Sequence, residues 1–210
     1  MLSEYLTAAL VTLMVTVDPP GLAPIFLGIT PGMSDDSRRQ VAVRAVIIAG
    51  AILCASGFVG AQLLGALGIS LPAFRIAGGL LLFWIAFEMV FARRNERKTV
   101  HAEQAVTLDH IRNVAAFPLA IPLMAGPGAI TATILLAGRA QGDPVKLGVL
   151  MAVIAFVMLS CLAVFLAAGR ISKWLGVTGN VVLTRLLGVI LAALAVQFVA
   201  DGVRAMVAGG

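Results

Sequence analysis

The chain has 210 residues, of which 60% are hydrophobic and 12% are charged, and its mean hydropathy is +1.05. This much apolar surface excludes an ordinary soluble globular domain, so we expect lipid to be the solvent. The formal net charge is +5, but the basic residues are scattered through short loops. Because they form no continuous stripe, nucleic acid is excluded as the expected partner.

Six apolar stretches follow one another along the chain. A helix needs about 20 apolar residues to cross the roughly 30 Å hydrocarbon core. The first and fourth stretches are long enough, but proline and glycine interrupt both near the middle. The sequence therefore predicts an all-α integral membrane protein with six transmembrane helices, of which helices 1 and 4 are discontinuous; a re-entrant hairpin at either interruption is the alternative. The interrupted stretches lie at about 5–30 and 114–137, and the uninterrupted ones at about 41–66, 72–91, 146–169 and 181–200.

Most of the 15 Lys and Arg residues fall in the loops that follow helices 1, 3 and 5. Loops on the cytoplasmic side of a membrane carry the excess of basic residues. We therefore expect a multi-pass protein of a bacterial-type plasma (inner) membrane, with both termini on the non-cytoplasmic side.

An internal repeat has a period near 110 residues. Because each unit holds three helices, an odd number, the second unit must be inverted in the membrane relative to the first. Inverted repeats are typical of secondary transporters, although channels also contain them. The predicted units are residues 1–91 and 113–210, joined by a basic cytoplasmic connector at 92–112. The matching segments are Pro20-Gly21 with Pro127-Gly128, Leu67–Ser70 with Leu175–Thr178, and Arg75–Gly78 with Arg185–Gly188.

The two interruptions carry the most distinctive chemistry. The first break is Asp18-Pro19-Pro20-Gly21, and the second break is Ala125-Gly126-Pro127-Gly128. Proline lacks the N–H that a helix needs and disfavours the helical conformation of the residue before it. A new half-helix is therefore expected at each break, with Asp18 as the first N-cap, Pro19 in the first turn, and Pro24 kinking that helix or ending its first turn.

Half-helix N-termini with several unpaired N–H groups suit a carboxylate, and freed carbonyls suit an ammonium group or a cation. The breaks together therefore predict a site for a small zwitterion such as an amino acid. The alternative is two ordinary proline kinks, whose freed groups are satisfied by neighbouring helices and by threonines near the breaks. Those threonines are Thr12, Thr16, Thr131 and Thr133.

Asp18 is the acidic residue predicted to lie deep within a helix. A carboxylate at that depth costs on the order of 3 kcal/mol to insert. We interpret Asp18 as a proton-coupling group or as the partner of a ligand ammonium, and a satisfied N-cap is an alternative compatible with both.

Other polar residues of the predicted helices have simpler explanations beside the functional ones. Arg75 and Arg185 occupy matching positions, where gating or substrate contact competes with snorkelling to the interface. Gln197 is expected to bond between helices or, failing that, to contact a ligand or gate the site. Solvation at helix ends accounts for Glu88 and Asp201.

No phosphate-binding loop, HExxH zinc motif or nucleophile elbow is present, and both histidines lie in the predicted connector. The two cysteines have neither metal-ligand nor disulfide-framework spacing. We therefore expect no enzyme activity, no metal and no cofactor.

The motifs at these positions resemble those of the MarC family of integral membrane proteins, which includes SnatA-type neutral amino acid transporters. The resemblance covers almost the whole chain, and its most specific part is the stretch Ala125–Ile130. It implies six spans and, for SnatA-like members, ion-driven transport of small neutral amino acids such as glycine and alanine. The other motifs that carry it are the first break with Pro24-Ile25-Phe26, Ala120–Met124, Arg185–Gly188, Gln197-Phe198 and Asp201-Gly202.

The sequence as a whole thus predicts a secondary transporter of small neutral amino acids. The substrate is expected between the two breaks and near Thr131, with a proton, or sodium, as the coupling ion. The alternatives are a channel or passive facilitator for small solutes, an exporter of amino acids or related metabolites, and a membrane scaffold without a substrate.

Overall fold

A computed structural model describes residues 2–30, 33–91 and 115–208. Within these ranges the ordered elements are all helical and no strand occurs, which confirms the predicted all-α class for this part of the chain. The predicted connector at 92–112 lies outside the described residues. The helices are α1 (Leu2–Val17), α2 (Pro19–Ile29), α3 (Asp35–Ala66), α4 (Leu71–Val90), the π-helix π1 (Ala115–Met124), α5 (Pro127–Ala140), α6 (Pro144–Leu166) and α7 (Ala168–Ala208).

Five segments of the described chain are long and apolar enough to cross a membrane: Leu2–Ile29, Asp35–Ala66, Leu71–Val90, Pro144–Leu166 and Thr184–Ala208. Large apolar side chains remain exposed on them, including Phe58, Trp84, Leu159 and Val189. An exposed apolar surface of this kind suits lipid. The predicted fourth span corresponds to π1 and α5, which at 10 and 14 residues are each too short to cross alone.

Two helix boundaries differ from the sequence prediction. Helix α3 begins at Asp35 instead of about 41, because the Ser34 hydroxyl caps it by accepting from the Ser37 N–H at 3.3 Å. Helix α7 begins at Ala168 and therefore includes the segment Leu175–Thr178. Its predicted counterpart, Leu67–Ser70, is a connection between α3 and α4 in which Gly68 has φ +69°. The expected equivalence of these two segments is wrong.

The interrupted segment α1–α2 lies in the interior of the helix bundle. In its most apolar 18-residue stretch 67% of the residues are buried, against 28% to 39% in the other four segments. Both halves contact α6 and α7, and Phe26 of α2 stacks on Phe165 of α6 with ring centroids 4.6 Å apart. The uninterrupted helices therefore carry most of the lipid-facing surface.

Helices α4 and α7 pack antiparallel through glycines. A Cβ added at Gly79 would lie 2.9 Å from the Ala195 carbonyl oxygen and 3.0 Å from the Val199 amide nitrogen. Near the other end, a Cβ at Gly188 would lie 2.8 Å from the Cβ of Met89. Such close approach of two backbones requires small residues at the contact.

We expect Gly79→Ala to destabilise the protein by about 1–3 kcal/mol, because the added methyl group meets the α7 backbone and no side-chain rotation can relieve the overlap. The measurement is thermal unfolding in detergent, followed by fluorescence-detected size exclusion. The matched control is Gly65→Ala in α3, where an added Cβ meets nothing within 4 Å. Equal melting temperatures for the two variants would contradict the close α4–α7 contact.

Candidate functional site

The first break is a single left-handed residue between two helices. Asp18 has φ 59° and ψ 64°, a conformation that aspartate tolerates better than most residues. Its N–H donates to the Met14 carbonyl at 2.9 Å, and its carbonyl accepts from the Leu22 N–H at 3.2 Å. Its side-chain Oδ1 accepts from the Gly21 N–H at 3.2 Å. The predicted N-cap role of Asp18 is therefore confirmed, and α2 continues through Pro24 to Ile29.

The N-terminus of α2 offers a ligand no N–H group from its first three residues. Pro19 and Pro20 have none, and the Gly21 N–H is bound by the Asp18 carboxylate. The expectation of several unpaired donors is therefore wrong at the first break. A Cβ at Gly21 would lie 2.2 Å from the Asp18 Oδ2, so glycine is what lets the carboxylate reach this position.

The first break places a hydrogen-bond acceptor, the Asp18 carboxylate, in the interior of the helix bundle. The Asp18 side chain belongs to a residue that is only 1% exposed. This break is therefore suited to a cation or an ammonium group.

The second break has the opposite polarity. Ala125 closes π1 by donating to the Ala120 carbonyl at 2.9 Å, and Gly126 follows in an extended conformation with φ −79° and ψ 172°. Gly126 is the N-cap of α5 and provides no side-chain hydrogen bond. Pro127 then occupies the first turn without an N–H, so the donors of this turn are Gly128 and Ala129. This helix end carries the partial positive charge that suits an anion.

Helix α4 connects the surroundings of the two breaks. A Cβ at Gly128 would lie 2.4 Å from the Cδ1 of Ile85. Ile85 also packs against a small buried cluster, which contains Val15 from the end of α1 together with residues of α4 and α7. The side chain of Ile85 thus contacts the second break and packs against a cluster that has one member in the helical turn preceding the first break. The other members of that cluster are Ala86, Met89 and Leu191.

Thr131 lies on the same side of α5 as Gly128. It is 8% exposed, and its methyl carbon would lie 2.5 Å from a Cβ added at Gly78 of α4. Two threonine hydroxyls near the breaks bond within their own helices. Thr16 donates to the Thr12 carbonyl, and Thr133 donates to the Ala129 carbonyl at 2.8 Å. Both acceptors lie four residues back in regular helix and not at a proline-freed position.

The predicted gating residues do not come together. Arg75 lies near the start of α4, whereas Arg185 is exposed on α7 near the opposite end of α4, because the helices are antiparallel. Within the described ranges no group bonds to the buried Nε of Arg75. Gln197 donates to Asp201 Oδ1 at 2.7 Å inside α7, so the predicted bond between helices is wrong.

An ion pair that the sequence did not indicate joins α5 to α7. Arg139, in the last turn of α5, donates to the carboxylate of Asp201, and its guanidinium lies 4.3 Å from the ring centroid of Phe198. Asp201 is therefore paired and not simply solvated at a helix end. The two partners are 62 residues apart, and no local pattern links them.

Glu88 is a second buried acidic residue. It is 6% exposed and accepts a hydrogen bond from the Trp84 indole N–H at 3.0 Å. The prediction that helix-end solvation explains Glu88 is therefore wrong. Its neighbour Met89 belongs to the small cluster that also contains Val15 of α1 and Leu191 of α7.

Comparison with known proteins finds similarity to one family over residues 3–207. Residues 3–207 match the model of a family described as MarC family integral membrane protein. A UPF0056 membrane protein of Archaeoglobus fulgidus is 38% identical over 203 residues, covering 95% of this chain and 92% of the relative. The UPF0056 membrane protein YhcE of Escherichia coli K12 is 34% identical over 197 residues, covering 94% and 91%. No solved structure matches.

We expect Arg139 and Asp201 to be energetically coupled, because both side chains are partly buried and meet across two helices. In a double-mutant cycle with Arg139→Ala and Asp201→Ala, the coupling should be about 0.5–3 kcal/mol in thermal stability. The charge-swapped pair Arg139→Asp with Asp201→Arg should recover part of the stability lost in either single charge reversal. Strict additivity of the single changes would show that the contact contributes nothing. The control cycle is Lys146 with Asp143, a more exposed pair at 3.8 Å within one helix start.

Proposed function

Because the chain belongs to the MarC family of integral membrane proteins, we propose that it is a secondary transporter of small neutral amino acids and not an enzyme. The observation that carries this proposal is the opposite polarity of the two breaks. The first provides a buried carboxylate, and the second provides uncapped backbone donors at a helix N-terminus. An amino acid zwitterion has the two complementary groups.

In the proposed complex the carboxylate of the substrate accepts hydrogen bonds from the N–H groups of Gly128 and Ala129. The ammonium group donates to the carboxyl group of Asp18. Glycine and proline bring the backbone close to a small ligand on both sides, and Thr131 lies one turn further along α5. The remaining backbone of the site is Pro19, Pro20, Gly21, Ala125, Gly126 and Pro127.

An inverted repeat is part of the proposal, and the helix contacts support it. If α1, α2, α3 and α4 correspond to π1, α5, α6 and α7, three contacts between the halves have a counterpart under the exchange of the two halves. Helix α3 contacts π1 and α5, as α6 contacts α1 and α2, and α4 contacts α5, as α7 contacts α2. At the α4–α7 contact, Val199 packs on Gly79 as Met89 packs on Gly188, and Val199 lies 110 residues after Met89.

Energy for accumulation comes, in this proposal, from a proton that Asp18 binds together with the substrate, and the protonated carboxyl group still accepts from the ammonium group through its carbonyl oxygen. One charge moving through 100 mV provides about 2.3 kcal/mol, which corresponds to an accumulation of roughly 50-fold. Glu88, the other buried carboxylate of the described residues, is the second group on which coupling can depend. A sodium ion bound by the acceptor oxygens of the first break is the competing version.

Counterflow in proteoliposomes tests the transport function. We expect labelled alanine to exchange for internal unlabelled alanine with saturation, and an imposed pH gradient to drive its accumulation. A solute flux that increases linearly with concentration would indicate a channel. No flux of any amino acid would contradict the proposal and leave a scaffold role, and accumulation driven only by a sodium gradient would replace the proton.

Asp18→Asn tests the coupling role, because asparagine retains the N-cap while losing the charge. We expect the accumulation ratio driven by the pH gradient, at most about 10-fold per pH unit for one coupled proton, to fall to near 1 in this variant. The matched control is Asp36→Asn, which makes the same change at an exposed carboxylate in the first turn of α3. Unchanged pH-driven accumulation in a monodisperse Asp18→Asn protein would remove Asp18 from coupling.

We propose, further, that both termini lie on the periplasmic side of a bacterial-type inner membrane. A C-terminal alkaline phosphatase fusion should then be active and a C-terminal green fluorescent protein fusion dark. The reverse result would invert the protein in the membrane without affecting the site.

A further inference from the structure

We propose that Ile85 of α4 sets the upper size limit of the substrate. This inference rests on the proposed transport of neutral amino acids and adds a specificity-determining residue to it. Ile85 lies on neither break, and its position in the sequence gives no sign of such a role.

The position of the Ile85 side chain carries the inference. Its terminal carbon lies against the Cα of Gly128, since a Cβ added there would be only 2.4 Å from Cδ1. Leu82 is the next side chain on α4 in this contact, and its Cδ2 would be 3.8 Å from the same Cβ. Among the described side chains near Gly128, Ile85 therefore makes the closest approach to the Cβ position of this residue, whose N–H is one of the donors of the second break.

Ile85 also packs against the two hydrophobic clusters of the described residues, the main core and the small cluster whose members include Val15, three residues before Asp18. A substrate held by its carboxylate at Gly128 and by its ammonium at Asp18 would have its Cα between these two regions. Its side chain must then extend into the space that the branched side chain of Ile85 limits.

Glycine and alanine place zero or one carbon in that space, whereas valine and leucine place three or four. In a tightly packed apolar site, one carbon more or less on the substrate changes its binding relative to a competing substrate by about 10-fold or more. Ile85 therefore favours the smallest neutral amino acids by excluding larger ones and needs no polar contact with the substrate.

The test is competition in counterflow, with labelled alanine exchanged in the presence of unlabelled valine or leucine. We expect Ile85→Ala to raise the apparent affinity for valine relative to alanine by about 10-fold, and Ile85→Val to raise it less. The matched control is Ile134→Ala, which makes the same truncation on α5 where the side chain packs on Gly60 of α3. Its valine to alanine ratio should equal that of the unmodified protein.

A second pair of variants tests the contact itself. Gly128→Ala should lower the melting temperature, and Ile85→Val should restore it, since valine lacks the Cδ1 atom that the new methyl group meets. In the Ile85→Ala background, Gly128→Ala should also return selectivity toward alanine, because its methyl group occupies the vacated space.

The outcomes separate this inference from the function on which it rests. If the unmodified protein exchanges no amino acid, the proposed function is wrong. If it exchanges alanine, while folded Ile85→Ala and Ile85→Val retain the original valine to alanine ratio, Ile85 does not limit size. Should Ile85→Ala not fold, the ratio measured for Ile85→Val decides.

Discussion

Backbone groups that leave the helical ladder inside a membrane cannot be satisfied by lipid, and the arrangement of this protein depends on that constraint. Pro19 and Pro20 remove two donors in the middle of an apolar segment, so the carbonyls they leave need partners supplied by the protein. The segment that contains them is accordingly the most buried of the five, and regular helices surround it. A break of this kind on a lipid-facing helix would expose its freed carbonyls to hydrocarbon.

The two breaks meet the same constraint with different chemistry. At the first, the Asp18 side chain accepts from the Gly21 N–H, and the break places a carboxylate in the interior. At the second, Gly126 has no side chain with which to cap α5, so the N–H groups remain as donors. A pair of equivalent breaks would favour a symmetric ligand or a single ion. One break rich in acceptors and one rich in donors instead favour a ligand with charges of both signs and impose an orientation on it.

Hydropathy and proline placement predicted much of this fold, because span length and helix interruption are local properties of the chain. The N-cap role of Asp18 and the start of α2 at Pro19 followed from the same local rules. The sequence also contains the reason why the first residues of α2 offer no free donor, since neither proline has an N–H. The prediction of several donors relied instead on the partial positive charge that helix N-termini carry in general. The Arg139–Asp201 pair and the burial of Glu88 depend on which helices become neighbours, and no local pattern contains that information. The mistaken match of Leu67–Ser70 with Leu175–Thr178 shows the converse, because similar residues adopt a turn in one place and a helix in the other.

The close contacts of α4 also indicate which parts of the bundle are able to move in a transport cycle. At Gly79 the backbone of α4 approaches the backbone of α7, so sliding one helix along the other would force main-chain atoms into overlap. The contacts between α4 and α5 are of another kind, because Gly78 and Gly128 there meet the side chains of Thr131 and Ile85, which adjust by rotation. The α4–α7 pair is thus suited to act as a fixed frame, and the first turn of α5 is suited to tilt against it while the Arg139–Asp201 pair holds the other end of α5 to α7. Since the donors of the second break lie at the first turn of α5, such a tilt would change their distance from Asp18, and the proposed substrate would be released when that distance no longer fits a zwitterion.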